Sequence, residues 1–157
     1  MLSPPYRRGG SNYYKAFVAE GDRLSGPGRR YPVRLARMDS LLERARGPIR
    51  FVKIDVEGHE LPVVRGGLEA ISRWKPALLI EVSRDPDNPA SSGFELFRVL
   101  HLLGYEAHRL GPAGLVRREK GDRSVNYFFL APAHLERLMG TPAPGGPPAR
   151  PLTDAPQ

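Results

Sequence analysis

The sequence predicts an α/β fold: a parallel sheet with right-handed crossovers, finished by an antiparallel pair of strands. Three observations predict it. Two short runs, IRFVKIDV (49–56) and PALLIEV (76–82), are apolar on both faces, as strands inside a parallel sheet are. Between them Leu61, Val64, Leu68 and Ile71 recur at helical spacing, and a second amphipathic stretch follows over 92–103. From residue 49 the order is therefore strand, helix, strand, helix, strand, strand.

The elements follow in order. Residues 1–30 mix Gly, Ser, Pro and Arg and read as loop around one candidate strand, YKAFVAE (14–20). YPVRLARM (31–38) alternates as a short strand does. DSLLERAR (39–46) reads as a short helix with Ser40 and Glu43 at capping-box spacing, ended by Gly47-Pro48. The strand 49–56 is expected at the centre of the sheet. One helix then covers roughly 60–74, with Pro62 in the first turn, where a missing N–H is tolerated. Gly66-Gly67 fall in its middle at a cost on the order of 1 kcal/mol each, which fits close packing of the helix backbone on a sheet.

After the strand 76–82, RDPDNPASSG (84–93) is a loop. Ser92 and Glu95 open the next helix, which runs to Leu103 with Gly104 as its stop. YEAHRL (105–110) and SVNYFFLAP (124–132) read as an antiparallel pair joined by a basic loop, 111–123. From Gly140 onward six of 18 residues are proline, and this tail is expected to be disordered. The expected organisation is a basic segment 1–32, a half-domain 33–139 and the tail 140–157.

Composition excludes several functions. With no cysteine among 157 residues, disulfides and thiolate metal sites are ruled out, and four scattered histidines (59, 101, 108, 134) make no structural zinc site, so no metal is expected. No apolar run approaches the ~20 residues of a membrane span, and the start MLSPPYRRGG lacks a leader's apolar stretch, so the cytoplasm is the expected location. The net charge of +7 is concentrated at one end: residues 1–50 hold 11 Lys+Arg against 4 Asp+Glu, and the rest hold 13 of each. Arg7, Arg8, Arg23, Arg29 and Arg30 read as a solvated loop; no nucleic-acid motif frames them, and nucleic acid is not an expected partner.

The stretch FVKIDVEGHE (51–60) carries the chemistry. Ligands of open parallel sheets sit outside the carboxyl ends of the strands. Asp55 and Glu57 fall at such an end, Gly58 lets the chain turn, and a helix beginning near Glu60 aims its amides at the same region. Acidic residues at a helix start stabilise it by ~0.3–1 kcal/mol with no ligand, so Glu57 and Glu60 read first as helix-end residues. Asp55 interrupts an apolar run and requires partners. Lys53 lies on the same face and can pair with a carboxylate. His59 by itself reads as a surface histidine, and Glu81, near the end of the next strand, points to the same edge.

MDSLL, then IRFVKIDVEGHELPVVRGG, KPALLIEV and LLGY resemble the C-terminal half of the FkbM family of methyltransferases over roughly residues 33–131. The resemblance implies a partial Rossmann-like methyltransferase sheet, with the strands at 49–56, 77–82, 105–110 and 124–131 as the fourth to seventh of seven. It implies S-adenosylmethionine as cofactor and methyl transfer to a hydroxyl of a sugar, secondary metabolite or polysaccharide. It makes Asp55 and Glu57 candidates for orienting or deprotonating that hydroxyl, with His59 as an alternative base, and Lys53, Glu60 and Glu81 as supports behind them. Acceptor specificity is expected in the loops 84–93 and 111–123.

One departure accompanies the match. Family members carry an earlier strand ending in a glycine-rich turn like D-x-G-A-N-x-G, which holds the cofactor, and neither RRGGSNYY (7–14) nor LSGPGRR (24–30) is its equivalent. The expectation is a truncated methyltransferase whose binding of cofactor by this chain alone is doubtful. Two alternatives are a non-catalytic remnant that binds a partner, or a second copy of itself, through an exposed sheet edge, and a basic nucleic-acid-binding accessory protein.

Overall fold

The computed structural model of the chain describes residues 33–138 and 140. The candidate strand 14–20, residues 31–32 and nearly all of the proline-rich tail lie outside the described residues. A mixed α/β arrangement is observed, with five strands in one sheet. The strands are β1 (Phe51–Ile54), β2 (Ala77–Glu81), β3 (Glu106–Gly111), β4 (Gly114–Arg117) and β5 (Asn126–Leu130), in the order β1-β2-β5-β3-β4. The helices are α1 (Met38–Leu42), α2 (Glu60–Arg65), α3 (Leu68–Trp74), α4 (Ser92–Leu102) and α5 (Pro132–Leu138).

β1 and β2 pair in parallel; β2–β5, β5–β3 and β3–β4 pair antiparallel. The expected antiparallel pairing of the last two predicted strands is present, but β5 inserts between β2 and β3, so the sheet is less parallel than expected. β1, expected at the centre, is a border strand among the described residues, and Phe51 is 54% exposed. The apolar content of 49–56 was read as burial on both sides. It reports on faces, and among the described residues one of them is covered.

That covered face is set by strand alternation. Val52, Ile54, Leu78, Ile80, Tyr127, Phe129 and Ala107 align across the ladder and belong to the core with Leu61, Val64, Ile71, Leu96 and Leu100. α2, α3 and α4 thus pack on one side of the sheet. Phe97 stands edge-on to Tyr127 and Phe129, with centroids 5.0 and 4.9 Å apart. The opposite face carries Phe51, Lys53, Leu79, Glu81 and Phe128.

Several local expectations are corrected. Residues 33–37 form no strand and are exposed, and the helix expected at 39–46 spans only Met38–Leu42, placing Ser40 inside it rather than at its cap. The helix expected over 60–74 breaks in two at Gly66-Gly67. The break admits α1: a Cβ on Gly67 would lie 1.8 Å from Met38 Cε, and Asp39 N–H donates to Gly66 O at 2.9 Å. The glycines therefore accommodate a neighbouring helix rather than the sheet.

Asp39 completes the joint. Its carboxylate accepts from Ala70 N–H (3.0 Å) and Glu69 N–H (3.4 Å), capping α3 from 30 residues away.

α4 is capped by Ser91, whose Oγ accepts from Phe94 N–H at 3.1 Å, not by Ser92. Its end is as expected. Gly104 has φ 78°, Tyr105 N–H reaches Leu100 O and Gly104 N–H reaches His101 O, which is a Schellman motif closed by two buried side chains. The tyrosine hydroxyl donates to Pro76 O at 2.8 Å, and burial pushes its pKa up. β4 lies in the segment expected to be loop, and α5 begins at Pro132, the expected last residue of the strand 124–132.

Candidate active site

The turn after β1 is where the sequence places the chemistry. Glu57 has φ 48° and Gly58 φ 93°, two successive left-handed residues. For glycine this costs little; for glutamate it costs on the order of 1–2 kcal/mol. Glu60 supports the turn. Its carboxylate is buried, 4% exposed, and accepts from Gly58 N–H at 2.7 Å. It thus holds the helix end, as expected, by reaching back from the first residue of α2. His59 is the N-cap residue and makes no side-chain cap bond.

Of the six expected site residues Glu57 and Glu60 make the turn, and the other four lie on two sides of it. Lys53 Nζ and Asp55 Oδ2 pair at 2.5 Å, as their shared face allows, and the Asp55 side chain is 38% exposed. The burial expected for Asp55 is therefore absent: it lies on the face opposite Ile54, past the end of a border strand, neutralised by its own neighbour. Glu81 stands at the end of β2, half-buried, on that same face.

His59 is on the other side. With Val56, Pro62, Val63, Met38 and Leu41 it lines a cavity of about 600 Å³ between the turn, α1 and α2. The cavity wall is apolar apart from His59 and Arg37, and Arg37 is paired with Asp39 at 3.4 Å. The imidazole Nδ1 is sealed from water with no hydrogen-bond partner among the described residues. Neither Asp55 nor Glu57 lines this cavity. Sequence reasoning ranked the carboxylates ahead of the histidine and did not find the cavity, since its α1 wall was read as strand followed by a longer helix.

Elsewhere the titratable groups form clasps. Asp87 accepts from Arg118 and from Gly121 N–H (2.7 Å), and those bonds hold its pKa below the usual range. Asp122 accepts from Glu119 N–H at 2.8 Å and lies 2.9 Å from Arg109 Nε, and its pKa is lowered for the same kind of reason. Glu95 is gripped by Arg98 at 2.7 and 2.8 Å and lowered to about 2. Among the described residues no group of three or more His, Asp or Glu is placed to hold a metal, and no helix is long and apolar enough to cross a membrane.

A mixed α/β sheet with helices on one face and a polar turn at the carboxyl end of a parallel strand is compatible with a methyltransferase-like fold. The chain belongs to the FkbM methyltransferases: the family model described as Methyltransferase FkbM domain matches residues 5–107. The match begins earlier than the residues 33–131 read from motifs and ends within β3. No curated protein and no solved structure matches the chain.

Proposed function

We propose that this chain takes part in O-methyl transfer from S-adenosylmethionine to a hydroxyl, with the acceptor in the cavity beside His59. The observation that carries the reading is that cavity, at the carboxyl end of β1 behind the left-handed Glu57-Gly58 turn. The apolar wall suits the body of an acceptor, and among the described residues the imidazole is its one unpaired polar side chain. The cofactor would supply an electrophilic methyl group. The described residues do not fit it: they include no glycine-rich strand-to-helix turn, and none of those lining the cavity is a carboxylate for a ribose.

What this chain supplies is the base. A hydroxyl is a poor nucleophile while it keeps its proton. As its O–H bond breaks, the proton passes to His59 Nε2, since Nδ1 is sealed, and the electron pair stays on the acceptor oxygen. Glu57, in the left-handed turn before His59, fixes the backbone from which the imidazole projects, and Asp55 with Lys53 steadies the end of β1. The test is to incubate the protein with S-adenosylmethionine and a panel of hydroxylated acceptors, apolar and sugar. S-adenosylhomocysteine formed only with acceptor present supports the reading; no cofactor binding and no product removes it for this chain.

One observation favours a second reading, self-association through the sheet edge. β1 pairs on one side only among the described residues, and such an edge is a template for another strand. Sedimentation that shows dimers growing with concentration supports it, and a monomer at every concentration refutes it.

A further inference from the structure

At the β3–β4 end of the sheet, the loop after β2 and the segment that returns from β4 to β5 close on α4 and leave a groove of about 510 Å³. It shares no lining residue with the His59 cavity. These are the two loops, 84–93 and 111–123, expected from the sequence to carry acceptor specificity, and the fold brings them together away from the His59 cavity.

The floor is aromatic: Phe94 and Phe97 are half-buried there, over fully buried Tyr105 and Phe129. The walls are cationic: Arg98, Arg117, Arg118 and Lys120 stand against two carboxylates, Asp87 and Glu106. Both carboxylates are engaged, Asp87 by Arg118 and Glu106 by Arg117 at 3.3 Å. Lys120 forms no ion pair among the described residues. Arg118 adds an independent sign. Its guanidinium lies 5.2 Å from the Phe97 ring centroid, and its Nε is sealed from water with no hydrogen-bond partner among the described residues.

We propose that this groove binds a small organic anion whose flat apolar body lies on Phe94 and Phe97 and whose anionic oxygens meet Arg118 and Lys120. The ring surface selects against a bare inorganic ion, and the uncompensated charge selects against a neutral ring. The proposal does not depend on methyl transfer.

Phenyl phosphate, phenol and inorganic phosphate are the probes, titrated into the isotope-labelled full chain and followed by amide NMR shifts. Phenyl phosphate is expected to shift Phe94, Phe97, Arg118 and Lys120 saturably, about tenfold more tightly than either fragment. Lys120→Glu, at an exposed position, and Phe94→Ala are each expected to weaken it about tenfold with the rest of the spectrum unchanged. Equal affinity for inorganic phosphate, shifts confined to arginines outside the groove, or unaltered binding by Lys120→Glu overturns the proposal.

Discussion

At the scale of single residues, a pairing is legible in sequence when its partner is near. Lys53 and Asp55, two apart on one strand, were expected to share a face and do. Glu60 was expected at the helix end and is there. Asp39 is the opposite case: its role as cap of α3 depends on amides 30 residues away, which no local spacing announces. Asp39→Ala should lower stability by about 1–2 kcal/mol in urea unfolding, because two amides of α3 lose their acceptor. Asp39→Asn should recover part of it, since the side-chain oxygen remains. His59 was underrated for the same reason as Asp39: a lone histidine has no pattern, and only the fold shows the cavity it faces.

At the scale of elements, β1, β2 and the helices that follow them were readable because their apolar residues keep one period. Boundaries moved where a distant contact decides. The Gly66-Gly67 break exists for Met38, and the α4 cap falls on Ser91 while the loop carbonyl of Arg84 lies against Gly93. A Cβ on Gly93 would stand 2.2 Å from Arg84 O, a backbone atom with little freedom. Gly93→Ala should therefore destabilise by about 1–3 kcal/mol, although alanine is the better helix former, and the urea midpoint will show the sign. β4 escaped notice because its four residues are all exposed and it stands on the border, where no burial pattern is imposed. α5 was hidden behind a proline that, at a first helical position, begins a helix instead of ending a strand.

At the scale of the whole molecule, Asp87–Arg118 ties the loop after β2 to the segment after β4, Asp122–Arg109 ties that segment to β3, and Glu95–Arg98 braces one face of α4; together they fix the response to acid. All three carboxylates have folded pKa values below their ordinary ones, 3.8 for the aspartates and 4.5 for the glutamate. Below those ordinary values the unfolded chain binds more protons, so their stabilisation is present above them and is lost as pH falls through the lowered folded values, about 2 for Glu95. His134 adds an earlier decline. Burial lowers its pKa below 6.5, and its Nδ1 accepts from Ala131 N–H at 3.0 Å, so unfolding takes up a proton as pH drops through 6.5. Urea midpoints against pH should show two steps, and His134→Gln should flatten the upper one alone. The family was legible at this scale from one motif, while the border position of β1 was not, since a strand's composition records how its faces are covered and says little about its neighbours. The most direct test of the account is methyl transfer measured side by side for His59→Gln and Asp55→Asn. The account predicts a loss of about 10²–10⁴-fold in kcat for His59→Gln and a change within a few-fold for Asp55→Asn. Full turnover by His59→Gln, with activity lost in Asp55→Asn, would contradict it.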